Sequence, residues 1–232
     1  TIAQVAKRRR RPLAEPYANN TCDGSFADGL AYPSRLQRRQ QARWKKYGLQ
    51  IDFAAYFDQF ELAEALRDRL LVRTAKGLFR LCRLPMGARW SVLVAQTVTW
   101  VLTHPLAAKA AAEGATCSVA PMIDNVRAMS DDADEFIDIA RTLLKRCRRA
   151  NVSLSERDVS ALNDAELLAA CDQEGRHFSF LGETTFSSGG AVWAANSPNN
   201  VAKLQAAQDA LLTSLRLAAP PRSCRHLASL CG

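Results

Sequence analysis

Two aspartates sit inside runs that otherwise read as buried β-strands, and this placement constrains the fold more than any other feature of the chain. Asp52 lies in Leu49-Gln50-Ile51-Asp52-Phe53, and Asp124 lies in Ala120-Pro121-Met122-Ile123-Asp124-Asn125-Val126. A carboxylate among apolar neighbours is costly unless it is paired, hydrogen-bonded or bound to a cation. Either residue alone is explained equally well as a strand-end aspartate at the surface. Two brought together repel one another unless cations lie between them. Phosphoryl transfer uses such an arrangement, with two divalent ions about 3.5–4 Å apart. Mg2+ takes hard oxygen ligands, so carboxylates are the matching residue type. Composition and periodicity leave the choice open.

The charge distribution narrows the candidate partners. The net charge is +8, and residues 1–50 hold eleven basic side chains (Lys7, Arg8, Arg9, Arg10, Arg11, Arg35, Arg38, Arg39, Arg43, Lys45 and Lys46) against three acidic ones (Glu15, Asp23 and Asp28). The rest of the chain balances twenty against twenty, so the whole excess lies in one segment. Such a block is the electrostatic footprint expected for a polyanion such as nucleic acid. A basic tail or nuclear-import signal explains residues 7–11 equally well. Seven cysteines (Cys22, Cys82, Cys117, Cys147, Cys171, Cys224 and Cys231) are odd in number and form no C-x-x-C pair. That pattern fits free buried thiols in a reduced intracellular protein, rather than a disulfide framework or a zinc site. The chain begins with Thr1, so a non-native start is expected, and no signal peptide is seen. Residues 90–108 carry no charge and approach the roughly 20 residues of a membrane span. They include Gln96, Thr97, Thr99, Thr103, His104 and Pro105, so a buried helix is expected and no membrane segment.

Periodicity yields an outline of elements. A basic helix is expected over 34–46, a strand over 49–53, a short helix over 61–71 and a strand over 78–84. A long apolar helix over 88–102 should stop near His104–Pro105, and the alanine-rich 107–114 reads either way. Strands over 117–123 and 126–129 should meet in a tight turn at Asp124–Asn125. Phe136, Ile139, Ala140, Leu143, Leu144 and Cys147 form one stripe of a helix over 131–150. Asp131 and Asp132 open this helix and Lys145, Arg146, Arg148 and Arg149 close it, matching the helix dipole. A strand pair should flank Gly182, and a last helix should run over 200–217. The implied class is α+β, with helices on one face of a mostly antiparallel sheet.

Five blocks, taken in order, resemble the retroelement reverse transcriptases. Asp52-Phe53-Ala54-Ala55-Tyr56-Phe57-Asp58-Gln59 is similar to their first catalytic motif, an apolar strand with Asp and an aromatic five residues on. Leu84-Pro85-Met86-Gly87-Ala88-Arg89-Trp90-Ser91, followed by Gln96, resembles the L-P-x-G block. Met122-Ile123-Asp124-Asn125 resembles the Y-x-D-D box on its hairpin, and Phe180-Leu181-Gly182 the F-L-G primer-grip strand. Lys7-Arg8-Arg9-Arg10-Arg11-Pro12, with Asn19 and Asn20, resembles the fingers segment that holds the incoming triphosphate.

The resemblance implies a reverse-transcriptase fingers and palm with an incomplete thumb. Residues 1–50 would form part of the fingers, 51–186 the palm with the remaining fingers segment, and 187–232 the start of the thumb. The implied activity is that of a retrotransposon RNA-directed DNA polymerase, adding deoxynucleotides to a primer 3′-hydroxyl on an RNA or DNA template. Asp52 and Asp124 would hold two Mg2+ ions, with Mn2+ as a substitute, and Asn125 would complete the catalytic box. Phe57 would exclude a 2′-hydroxyl by bulk, and Met86 and Gly87 would let the backbone approach the nucleotide. Gln96 would steady that loop or the template, a helix-interior polar contact explaining it nearly as well. Arg10 and Arg11 would clamp phosphates, the register among Arg8 to Arg11 being open, and Phe180, Leu181 and Gly182 would form the primer grip.

The chain also departs from the family pattern. Met122 replaces the usual Tyr, Asn125 replaces the second Asp, and Tyr56 fills a normally small position. The lysine expected near residues 151–156 is missing unless Arg157 replaces it, and arginine, with a pKa above about 12, is a poor proton donor. The Ile-Asp-Asn-Val-Arg form, with Leu-Pro-Met-Gly-Ala-Arg-Trp, is most similar to tyrosine-recombinase elements of the DIRS-like and VIPER type, in which the Asn belongs to the pattern. Two alternatives compete: an inactive relic or domesticated nucleic-acid-binding protein that keeps the fold, and an RNA-templated RNA polymerase. Asp131, Asp132, Asp134 and Glu135 read as a solvated helix start, and His104, His177 and His226 fit no ligand spacing.

Overall fold

The structure, a computed structural model, describes residues 32–43, 45–114, 116–155, 159–181, 183–189 and 191–216. Arg10, Arg11, Arg157 and Gly182 lie outside the described residues. Helical and strand patterning resolve into α1 (Arg35–Ala42), β1 (Tyr47–Asp52), α2 (Glu64–Arg67), β2 (Leu71–Thr74), β3 (Gly77–Arg80), α3 (Arg89–Ala112), β4 (Ser118–Met122), β5 (Asn125–Ser130), α4 (Ala133–Arg149), α5 (Asp164–Cys171), β6 (His177–Phe180), β7 (Glu183–Ser188), β8 (Ala191–Asn196) and α6 (Pro198–Arg216). Among the described residues three antiparallel sheets result, ordered β1-β5-β4, β2-β3 and β6-β7-β8.

The first sheet organises the rest. Leu49 pairs with Ala128 and Ile51 with Val126 across β1 and β5, and these four side chains enter the main core with Phe53, Leu102, Leu106, Phe136 and Leu143. Side chains alternate between the faces of a strand. The interleaved Asp52, Asn125 and Arg127 therefore point to the opposite face. Helices α3 and α4 cover the apolar face. All six stripe residues of α4 are buried, and each large apolar one stabilises the fold by about 1.5–3 kcal/mol. The ends of α4 follow their charges: Asp132 caps the Glu135 N–H, and Arg146, Arg148 and Arg149 lie in the last turn.

Helix α3 corrects the expected stop near Pro105. It runs on through the proline to Ala112. Proline lacks the N–H that Val101, four residues back, would accept from. Arg146 of α4 supplies the donor instead: its Nη2 donates to the Val101 carbonyl at 3.0 Å and its Nε to Leu102 at 2.7 Å. A tertiary contact thus removes the reason for the helix to end.

Other boundaries also shift. Helix α1 ends at Ala42, four residues before the expected limit. The helix expected over 61–71 shrinks to Glu64–Arg67, because Leu71 opens a hairpin against Arg80 whose turn needs Gly77 at φ 131°. That hairpin leaves only Gly77–Arg80 of the strand expected over 78–84. The turn between β4 and β5 lies at Ile123–Asp124, one residue earlier than expected, since Met122 pairs directly with Asn125. Helix α5 and strand β8 add to the outline. The first carries a reciprocal Asn163–Glu166 capping box, and the second extends the β6-β7 pair. Among the described residues no helix is long and apolar enough to cross a membrane.

The third sheet is fastened to the rest by charge. Glu183, at the start of β7, has a side chain only 6% exposed and meets three arginines of α1: Arg39 Nε at 2.8 Å, Arg35 Nε at 3.3 Å and Arg38 Nη2 at 3.5 Å. Beside it, Arg127 of β5 donates to Gln173 at 3.0 Å and Thr185 at 3.3 Å, and its guanidinium lies over the Phe180 ring. Burial pulls the Arg127 pKa down to about 10, partly offset by the charge of Glu183. Part of the basic block seen in the sequence thus serves the interior.

Replacing Arg146 by Ala should cost about 0.5–1.5 kcal/mol, the net value of a hydrogen bond whose acceptor water can reach. The loss should shrink in a Pro105→Ala background, as a double-mutant cycle of urea denaturation would show. Glu183→Gln should cost about 1.5–3 kcal/mol by weakening the charged hydrogen bonds of Arg38 and Arg39, whereas Arg35→Ala, at a site 53% exposed, should cost under about 0.5 kcal/mol. Cys147 and Cys171 are free, and burial raises each thiol from its ordinary value of 9.0 to about 11. Above pH 9 the unfolded chain loses protons that the folded chain keeps, so stability should fall between pH 9 and 11. The loss is on the order of 2 kcal/mol per thiol, and Cys147→Ala should flatten the urea-midpoint profile over that range.

Candidate active site

Asp52 and Asp124 lie at the same end of the β1-β5-β4 sheet. Asp52 is the last residue of β1 and pairs directly with Asn125, the first of β5. Opposed residues of an antiparallel pair share a face, with Cβ atoms about 4.5–5.5 Å apart. Asp124 occupies the hairpin turn just before Asn125. Its carbonyl accepts the Phe53 N–H at 2.8 Å, and its carboxylate Oδ1 accepts the Asn125 side-chain N–H at 3.1 Å. Asp52, Asp124 and Asn125 are all half-buried. The other edge of this strand end is held as well. Ser155 N–H donates to the Asp52 carbonyl at 2.7 Å and Ala54 N–H to the Ser153 carbonyl at 2.9 Å. Gln59 closes the loop by pairing with both backbone groups of Ser153, at 2.9 and 3.0 Å.

The remaining expected residues fall around this centre to different degrees. Phe57, in the short turn Tyr56–Gln59 that follows β1, is half-buried and packs against both the main core and the smaller Leu62, Leu70 and Leu84 cluster. Met86 is half-buried and Gly87 exposed in the loop that enters α3. Gly87 adopts φ 109°, a conformation L-residues rarely take, which explains glycine at that position. Gln96 is buried on α3, and its Oε1 accepts the Ile123 N–H at 2.6 Å. It therefore holds the turn that carries Asp124. Phe180 at the end of β6 is buried against Arg127, while Leu181 forms the turn with φ 50°.

Asp52 and Asp124 supply hard oxygen donors, and Asn125 turns its amide nitrogen toward Asp124, directing its own oxygen away. Among the described residues no group of three or more His, Cys, Asp or Glu is placed to hold a metal ion. A divalent ion here would accordingly rest on two carboxylates, with water or substrate oxygens completing the shell, a donor set that suits Mg2+. Sequence reasoning missed the scaffold residues Gln59, Ser153 and Ser155, which act through backbone contacts that leave no compositional signal. It also missed Arg127, although a charge between Val126 and Ala128 is the same kind of signal as Asp52.

No family model matches the sequence, and no curated protein matches it. Solved structures do. The fold is similar to that of a foamy viral protease-reverse transcriptase in complex with double-stranded DNA, over 76% of this chain and 27% of that chain, at 14% identity and a TM-score of 0.54. A second foamy viral protease-reverse transcriptase complex with double-stranded DNA matches over 69% of this chain and 28% of that one, at 14% identity and a TM-score of 0.50. The chain thus spans under a third of the length of the proteins it resembles. At this identity the likeness concerns fold alone. The architecture is a reverse-transcriptase-like α+β fold of the fingers-and-palm kind.

Proposed function

We propose that this chain is the fingers-and-palm part of an RNA-directed DNA polymerase of a retrotransposon, most similar to the DIRS-like and VIPER type. The observation that carries the reading is the register that sets Asp52 opposite Asn125, with Asp124 in the adjoining turn. In this reading Asp52 and Asp124 hold two Mg2+ ions, with Mn2+ as a substitute. Their chemistry, when bound, is to stabilise charge on the attacking and leaving oxygens of in-line displacement. The chain's own residues orient the reactants. Phe57 lies beneath the sugar of a deoxynucleoside triphosphate, Met86 and Gly87 line its approach, and Arg10 and Arg11 meet its phosphates with planar guanidinium groups. Template and primer lie across the end of the β1-β5-β4 sheet that carries Asp52 and Asp124, with residues 180–182 beside the primer. A duplex held through its phosphates binds less tightly as salt rises. The complexes with double-stranded DNA in which the similar foamy viral proteins were solved support a nucleic-acid partner.

A second reading is a nucleic-acid-binding protein that has lost catalysis. Asn125 favours it, since the amide brings no charge to the metal site and engages Asp124 instead. Primer extension separates the two. On a primed RNA template with Mg2+ or Mn2+, the chain extended through a complete thumb should add deoxynucleotides, and Asp52→Asn or Asp124→Asn should each lower the rate by at least about 100-fold, or roughly 2.7 kcal/mol. Asn125→Asp should lower the metal concentration needed for half-maximal rate, and Phe57→Ala should relax discrimination against ribonucleotides. Salt-sensitive duplex binding without incorporation under either ion would establish the binding reading.

A further inference from the structure

The hairpin turn that carries Asp124 contains a strained residue. Ile123 adopts φ 54°, a left-handed conformation in which a β-branched side chain is an outlier. Strain of this kind costs on the order of 1–3 kcal/mol and persists only where the surroundings over-determine it. Here both backbone polar groups of Ile123 are held by buried side chains one helical turn apart on α3. Its N–H donates to Gln96 Oε1 at 2.6 Å, and its carbonyl accepts from the Thr99 hydroxyl. Thr99 is fully buried.

Thr99 also reaches the segment that carries the other aspartate. Its Oγ1 lies 2.9 Å from the Tyr56 hydroxyl and 3.0 Å from the Ala95 carbonyl oxygen. A hydroxyl has one proton to give, and both carbonyls only accept. When the Thr99 proton goes to Ile123, the Tyr56 hydroxyl can donate to Thr99. Tyr56 itself is fixed between Phe53 and Phe60, with ring centroids 4.7 and 4.8 Å away, four residues beyond Asp52. Burial raises its pKa to about 12, so it remains a proton donor throughout the neutral range.

We infer that Thr99, backed by Tyr56, is a positioning residue that fixes the strained Ile123 turn and so sets Asp124 against Asp52 for metal binding. The inference rests on the polymerase reading for its consequence, although the clamp itself is a property of the fold. It gives physical meaning to the departure at Tyr56, whose hydroxyl fills a place where a small residue would leave Thr99 without its second partner. A residue acting through the second shell of a metal site typically changes metal affinity 10- to 100-fold.

The test uses the full chain, with Mn2+ as the probe, and compares wild type with Thr99→Val, Thr99→Ser, Tyr56→Phe and Asp124→Asn. Two quantities are read: amide hydrogen exchange over residues 122–126, and Mn2+ affinity by calorimetric titration. Thr99→Val should lose exchange protection in the turn and weaken Mn2+ binding about 10-fold, with duplex affinity unchanged. Thr99→Ser should restore both, and Tyr56→Phe should give a smaller loss in the same direction. A Thr99→Val protein with wild-type protection, or with wild-type Mn2+ affinity, overturns the inference. If Thr99→Val does not fold, Tyr56→Phe decides it on the same two readouts. If wild type and Asp124→Asn bind Mn2+ alike, the polymerase reading falls, and the clamp is then judged by exchange alone.

Discussion

The arrangement depends on a two-residue turn that must run against its own backbone preference. Met122 and Asn125 are paired, so Ile123 and Asp124 alone reverse the chain, and Ile123 accepts φ 54° to do so. A longer loop would relieve the strain but would free Asp124 from the register that aligns Asn125 with Asp52. The cost of the turn is met by α3, through Gln96 and Thr99, and by the Phe53 N–H that bonds the Asp124 carbonyl. The apolar packing of α3 on the sheet therefore has a chemical consequence at the sheet end. Such a link between core and site is expected where precise placement of carboxylates outweighs local backbone comfort.

The same sheet divides its two faces between apolar packing and polar groups. Leu49, Ile51, Val126 and Ala128 feed the core under α3 and α4, while Asp52, Asn125 and Arg127 face away from it. Farther along that second face the β6-β7-β8 sheet is fastened by Arg127 and by the Glu183 cluster with α1. The Glu183 carboxylate ties the basic helix α1 to β7, and Arg127 ties the central sheet to the same strand through Thr185. The charge excess near the N-terminus therefore splits in function. Arg35, Arg38 and Arg39 share one carboxylate, so the cluster fastens α1 while keeping net positive charge at the surface.

The sequence revealed most where the cause of structure was local. The six-residue stripe of α4 and its charged ends were legible because a helix buries residues three and four apart whatever surrounds it. Asp52 and Asp124 stood out because each interrupts an apolar run, and the structure places the first at the end of β1 and the second in the turn before β5. Pro105 misled because its effect is cancelled by Arg146, a residue distant along the chain. Strand β8 was hidden by its alanines and by Trp193, which is exposed and marks no buried face. Helix α5 did carry a legible signature in Asn163 and Glu166, although only eight residues follow it. The role of Gln96 stayed open between a helix contact and a loop contact because polar residues on a buried helix face look alike until the partner is known. The resemblance to reverse transcriptases supplied the order of the blocks, and the fold bears it out at the level of architecture.

The most direct measurement is a crystal structure of the chain grown with Mn2+, with the ion located by anomalous scattering. The account predicts density at the end of the β1-β5-β4 sheet, with carboxylate oxygens of both Asp52 and Asp124 within about 2.5 Å of an ion. Density bound by one carboxylate alone, or none at this sheet end at saturating Mn2+, would contradict it.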